Sequence, residues 1–178
     1  MFDAARESSE RLSCSLRMPH TMHTFDLTKI DSFIELIQQQ RILVLGDLML
    51  DEFIWGKVNR ISPEAPVPVV HVTGETAYPG GAANVARNLA DFGAYAVLGG
   101  MIGADDNGRK LFELLKKSAI AGDAILTAAE FPTIVKTRII ARQQQVVRVD
   151  REKKRAITAK EIDDLLCRIW EILPSIDA

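Results

Sequence analysis

Pro79-Gly80-Gly81-Ala82-Ala83-Asn84 sets two adjacent glycines and two alanines before an asparagine, where an apolar helical pattern begins. Glycine has no Cβ and tolerates positive φ, so such a turn lets main-chain N–H groups approach a bound polar molecule closely. The helix that follows directs its unpaired donors and its positive dipole end the same way, which suits hydroxyls or phosphate. A tight turn that only lets a helix pack on a strand would use the same residues. Its surroundings have to separate the two.

Working outward, Ala82 to Phe92 has helical spacing closed by Gly93. Tyr95 to Leu98 follows as a strand, and Asn107 to Ser118 as a helix whose buried stripe is Leu111, Phe112, Leu114 and Leu115. Upstream, Asp26 to Gln40 is an amphipathic helix with Asp26 or Thr28 as N-cap, and Arg41 to Asp47 a strand apolar on both faces. Glu52 to Val58 and Val67 to Val72 are strand-like, and Pro68 restricts the second to an edge or an irregular pairing. Downstream come a short strand at Ala124 to Thr127 and a hairpin of Thr133 to Ala141 with Gln145 to Asp150, joined by Arg142-Gln143-Gln144. An amphipathic helix then runs from Thr158 to Leu173, stopped by Pro174. Ser175-Ile176-Asp177-Ala178 has the look of another βα unit beginning. Alternating strands and helices specify an α/β fold with a parallel sheet.

At 178 residues one sizeable core is the default. A formal net charge of −2 without a long basic run argues against nucleic acid, and no apolar run approaches the length needed to cross a membrane. Cys14 and Cys167 stand in unrelated contexts, so neither a disulfide framework nor a metal knuckle is encoded, and a reducing cytoplasm fits best. Residues 1–25 lack the apolar core of a secretory signal and are expected to form a disordered leader.

Four segments, taken together, carry a resemblance. They are Gly46-Asp47-Leu48-Met49-Leu50-Asp51, the run Arg60-Ile61-Ser62-Pro63-Glu64-Ala65-Pro66-Val67-Pro68-Val69, the stretch Pro79 to Asn88, and Gln144 to Asp150. In this order they closely resemble the ribokinase-like (PfkB) sugar kinases over about Lys29 to Ala178, in particular the branch that phosphorylates D-glycero-D-manno-heptose 7-phosphate. Gly-Gly-Ala-Ala-Asn indicates only the superfamily; Arg-Ile-Ser-Pro-Glu-Ala-Pro points to the heptose branch. The resemblance implies an incomplete three-layer α/β/α domain over residues 26–178, with a small β-sheet lid from strands at about 52–73 and 133–150.

On their own, Asp47 and Asp51 are either two acids capping a loop or two carboxylates able to accept hydrogen bonds from vicinal hydroxyls. The resemblance makes Asp51 the sugar-hydroxyl acceptor, with Gly80, Gly81 and Asn84 lining the same sugar, and leaves Asp47 a structural role. Lys136 and Arg138, two apart on a strand, share one face, and Arg142 at the turn can join them. They are either a solvated strand face or, given an acceptor that already carries a phosphate, an anion-recognition patch. In related kinases the lid also pairs with a second subunit, so Trp55, Val67, Val69 and Val146 form either a homodimer interface or packing within their own domain.

The resemblance places the catalytic base and the ATP site in a later Gly-Ala-Gly-Asp turn and its surroundings. No such turn occurs here, so no catalytic residue is assigned and this chain alone is expected to bind neither ATP nor Mg2+, both of which the complete enzyme requires. In Gly103-Ala104-Asp105-Asp106, Gly103 is read as a turn glycine and Asp105 or Asp106 as a helix N-cap. Three functions fit: the sugar-binding part of a heptose 7-phosphate kinase, a non-catalytic sugar-phosphate-binding or lid-dimerisation fragment, and a PfkB kinase for another sugar.

Overall fold

The computed structural model describes residues 28–153 and 155–178. The leader expected over residues 1–25 and the candidate cap Asp26 lie outside the described residues. In chain order the elements begin α1 (Thr28–Gln38), β1 (Arg41–Leu45), β2 (Leu48–Ile61), β3 (Pro68–Gly81), α2 (Ala82–Asp91) and β4 (Tyr95–Gly103). They continue α3 (Asp106–Lys117), β5 (Ala121–Ala128), β6 (Ile134–Ala141), β7 (Gln144–Arg151) and α4 (Ala159–Ile172), closed by a 3-10 turn at Leu173–Ser175.

Two sheets result. β1, β4 and β5 are parallel in the order β1-β4-β5, and the lid sheet has the order β3-β2-β6-β7, parallel only between β2 and β6. Alternation along β4 sends Ala96, Leu98 and Ile102 into the main core, where they meet Ala83 and Ala86 of α2 and Leu111 and Leu115 of α3. Leu48, Leu50 and Val135 come from the lid strands into that same core. The lid is thereby fused to the α/β layer at its base. Alternation turns Met101 to the other face of the parallel sheet, where it lines a largely apolar cavity with Leu45, Ile157 and, from α4, Leu165.

The strands are longer than their sequence pattern suggests. β2 starts at Leu48 and includes Asp51, and β3 runs from Pro68 to the glycine pair, with bulges at Trp55/Gly56 and Val58/Arg60 that break the alternation. Pro68 is the first residue of an edge strand, as its missing N–H requires. The β6–β7 turn has two residues rather than three, Arg142 and Gln143, both at positive φ (51° and 63°) as a type I′ hairpin demands. At the end of the chain, Asp177 N–H donates to the Arg41 carbonyl and Leu43 N–H to the Ala178 carbonyl, which lays these last residues along β1.

Helix α4 opens with a capping box in which Thr158 Oγ1 accepts from Glu161 N–H and Glu161 Oε2 accepts from Thr158 N–H. Arg155 grips the same carboxylate with both terminal nitrogens at 2.5 and 2.8 Å. The Arg155 hydrogen bonds, then those from Thr158, hold the Glu161 carboxyl down at about 2 against its ordinary 4.5. A carboxylate depressed in the folded state contributes stability above its unfolded value and loses it as acid approaches the folded one. The melting temperature should therefore fall between pH 4.5 and 2, and Glu161→Gln should flatten that dependence in pH-resolved thermal melts. An unchanged acid limb in the variant would remove Glu161 from it.

Candidate functional site

The glycine pair ends β3 and opens α2. Gly81 is the N-cap at φ 59°, with a Cβ there colliding with the Asp47 carbonyl oxygen, and Ala82 N–H donates to that same oxygen at 3.0 Å. This is the role of Asp47: its main chain anchors the helix start. Gly80 faces the other way. A Cβ on it would stand 2.5 Å from Asp51 Oδ2 and 2.9 Å from Met49 Cγ, so the Asp51 carboxylate lies directly against the Gly80 main chain.

Pairing across the lid fixes the rest. Asp51 stands opposite Tyr78 on β3 and Lys136 on β6, and Phe53 opposite Arg138. Arg138 Nη1 donates to Asp51 Oδ1 at 2.5 Å, with the two side chains 24% and 22% exposed, while the guanidinium also stands over the Phe53 ring at 5.3 Å. Asp51, Phe53, Tyr78, Pro79, Asn84 and Arg87 line one open cleft of about 250 Å³. Gly80, Asp51, Asn84 and Arg138 are thus brought together, and Gly81 shapes the helix start behind them.

Lys136 is on the same strand face but committed elsewhere, its Nζ 3.1 Å from Asp150 Oδ2 and 3.8 Å from Glu152 Oε2. Its hydrogen bond and that of Arg148, outweighing the desolvation, hold the Asp150 carboxyl below its usual range. Arg142 lies away from the cleft. Four residues beyond Arg138, about 13 Å along a strand, it donates from Nη2 to the Val58 carbonyl at 2.8 Å. Phe53, Tyr78 and Arg87 line the cleft without having been singled out in the sequence. The spacing of Arg87, three residues past Asn84 on a helix and so on its face, was the available signal.

Behind the site, Glu52 receives Lys110 Nζ of α3 at 2.8 Å and the Thr137 hydroxyl at 3.1 Å, and Arg151 Nη1 donates to that hydroxyl at 3.0 Å. Burial would raise the Glu52 carboxyl, but the Lys110 and Thr137 hydrogen bonds and the Lys110 and Arg151 charges hold it below its usual range. This network ties the reverse face of the lid to α3, leaving the Asp51 face for a ligand.

The two glycines predict different losses. Gly80→Ala meets side-chain atoms only, so it should cost less stability than Gly81→Ala while turning the Asp51 carboxylate out of place and weakening binding of a hydroxyl-bearing ligand in this cleft about tenfold. Gly81→Ala meets backbone at a left-handed φ and should cost about 1–3 kcal/mol of stability. Denaturant unfolding and ligand titration of both variants check this; equal effects on fold and binding would contradict it.

Comparison with known proteins agrees with this architecture. Proteins named Bifunctional protein HldE are 47% identical over 137 residues in Koribacter versatilis and 51% identical over 121 residues in Magnetococcus marinus, covering 77% and 68% of this chain. The chain spans about a quarter of the length of these curated relatives, 28% and 25%. Among solved structures, phosphofructokinase-2 from Escherichia coli, in complex with substrates and products, superposes with a TM-score of 0.56 at 24% identity, over 74% of this chain and 41% of that one. A carbohydrate kinase from Agrobacterium tumefaciens gives 0.52 at 24% identity, over 63% and 35%. These likenesses show a shared ribokinase-like fold. Residues 39–176, from the lead-in to β1 to the extended end that pairs back on it, match the model of the pfkB family carbohydrate kinases, and the chain belongs to that family.

Proposed function

We propose that this chain is the acceptor-binding part of a kinase that transfers the ATP γ-phosphoryl group to the anomeric hydroxyl of D-glycero-D-manno-heptose 7-phosphate. The product is the 1,7-bisphosphate, a step toward ADP-heptose and the lipopolysaccharide core. The observation that carries this reading is the convergence of the Asp51 carboxylate, the Gly80 main chain and the Asn84 helix turn on one cleft. A carboxylate accepts from vicinal hydroxyls, an asparagine amide both donates and accepts, and Phe53 and Tyr78 offer apolar surface to the carbon skeleton. Arg138 holds the carboxylate in orientation from behind. The heptose assignment draws on the Arg60-Ile61-Ser62-Pro63-Glu64-Ala65-Pro66 run.

ATP with Mg2+ is the phosphoryl donor this reaction requires. The residues around the cleft are matched to the acceptor and do not fit that donor: they gather one carboxylate, one amide and two guanidinium groups, with no glycine-rich loop and lysine for a triphosphate. A homodimer through the lid belongs to the same proposal, supported by the exposure of Trp55, Val67 and Val146. Among the described residues no helix is long and apolar enough to cross a membrane.

Calorimetric titration of the chain with heptose 7-phosphate and, separately, with ATP tests the assignment. Saturable binding of the sugar phosphate without binding of ATP is expected. Absence of sugar binding, or ATP hydrolysis by the purified chain, would overturn it.

A further inference from the structure

Four cations of the lid are already engaged, three on its strands and Arg142 at a turn away from the cleft. Arg138 holds Asp51, Lys136 faces Asp150 and Glu152, Arg148 Nε donates to Asp150 Oδ1 at 2.9 Å, and Arg142 is spent on the Val58 carbonyl. Arg87 differs. It lines the cleft from α2, its guanidinium carbon stands 5.7 Å from the Tyr78 ring centroid, and it makes no ion pair among the described residues. Its Nε is buried without a hydrogen-bond partner. A buried N–H left without an acceptor is costly and calls for a reason.

The two other arginines with such an Nε are differently placed. Arg155 devotes both terminal nitrogens to Glu161, and Arg41 stacks on Tyr95 at 4.7 Å, away from the cleft. Within the cleft, the Asp51 charge is balanced by Arg138, so Arg87 leaves one positive charge facing the ligand. A guanidinium held against an aromatic ring is pre-oriented, and its planar fork matches a phosphate in two-pronged fashion.

We infer that Arg87 is the residue that reads the phosphate of the acceptor, making it a specificity determinant in place of Lys136 and Arg142. This rests on the acceptor reading above and deepens it. The sugar hydroxyls fall to Asp51 and Asn84, and the anionic substituent to Arg87, one helical turn further along α2.

The test titrates the chain with heptose 7-phosphate and with the unphosphorylated heptose. The unaltered chain should prefer the phosphorylated sugar by about tenfold or more, and Arg87→Leu should bring the two affinities together. Arg87→Lys, which keeps the charge and loses the fork, should fall between. Should Arg87→Leu fail to fold, the arginine Nε–Hε NMR signals of the unaltered chain decide during titration with inorganic phosphate: the Arg87 signal is expected to move most. An unchanged preference in Arg87→Leu, an Arg87 signal that stays still, or equal binding of both sugars by the unaltered chain would overturn the role of Arg87 and leave the acceptor reading standing. Binding of neither sugar would overturn both.

Discussion

Asp51→Asn is expected to weaken binding of heptose 7-phosphate about 10- to 100-fold while the chain stays folded. A hydrogen bond to a charged group contributes about 1.5–3 kcal/mol, and each 1.4 kcal/mol is tenfold in affinity. The carboxylate is placed for this by two neighbours: the Gly80 main chain against its Oδ2 side and Arg138 Nη1 on Oδ1. Both partners of the Arg138 pair are only about a quarter exposed, so screening is partial, but the asparagine carbonyl can still accept from Arg138 Nη1, and losing the charge should cost about 1–2 kcal/mol of stability. Calorimetry beside a thermal melt reads both quantities. A variant that binds like the unaltered chain would remove Asp51 from the site, and a variant that unfolds would make its role structural.

Asp105→Ala carries the largest expected cost to stability, about 3 kcal/mol. Its Oδ1 accepts from Gly108 N–H at 2.8 Å, capping α3, and from the Thr133 hydroxyl at 2.7 Å, while Oδ2 accepts from Thr133 N–H at 2.8 Å. The buried Thr133 hydroxyl in turn accepts from Gly103 N–H at 2.9 Å. A lost cap costs about 1 kcal/mol and each stranded buried donor about 1–3 kcal/mol, against a total of about 5–15 kcal/mol for a domain. Burial would raise the Asp105 carboxyl, yet the Thr133 and Gly108 hydrogen bonds and the Arg109 charge hold it below its ordinary 3.8. Its contribution is therefore present above that pH and fades below it. Urea unfolding at neutral pH measures the loss; an unchanged midpoint would contradict it. The effect should reach the site, since Thr133 immediately precedes β6 and ties the start of that strand to the end of β4.

Much of this was legible in the sequence because local chemistry decides it. The glycine pair, Asn84 and the helix behind them are contiguous, so the turn at Gly81 and the line of Asn84 into the cleft follow from conformational freedom and helical spacing. The α/β alternation and an acidic cap at Asp105 or Asp106 follow similarly from periodicity and end chemistry, and the structure gives the role to Asp105. The cationic group was harder to read because its outcome depends on partners far along the chain. Lys136 and Arg138 share a face as alternation requires, but only the register of β6 between β2 and β7 reveals that Asp150 takes one and Asp51 the other. Arg142 falls in a turn of left-handed residues that points it at Val58. The lid strands run longer than their apolar pattern because bulges at Trp55/Gly56 and Val58/Arg60 shift the alternation without ending the pairing. Asp105 and Thr133, 28 residues apart, meet only once two sheets are joined.

A crystal structure of this chain grown with heptose 7-phosphate decides whether the Asp51, Gly80 and Asn84 cleft holds the acceptor sugar. Sugar hydroxyls are expected within hydrogen-bond distance of the Asp51 carboxylate and the Asn84 amide, with the ring beside Gly80. Sugar bound elsewhere on the chain, or crystals at saturating sugar with this cleft free of it, would show that it does not.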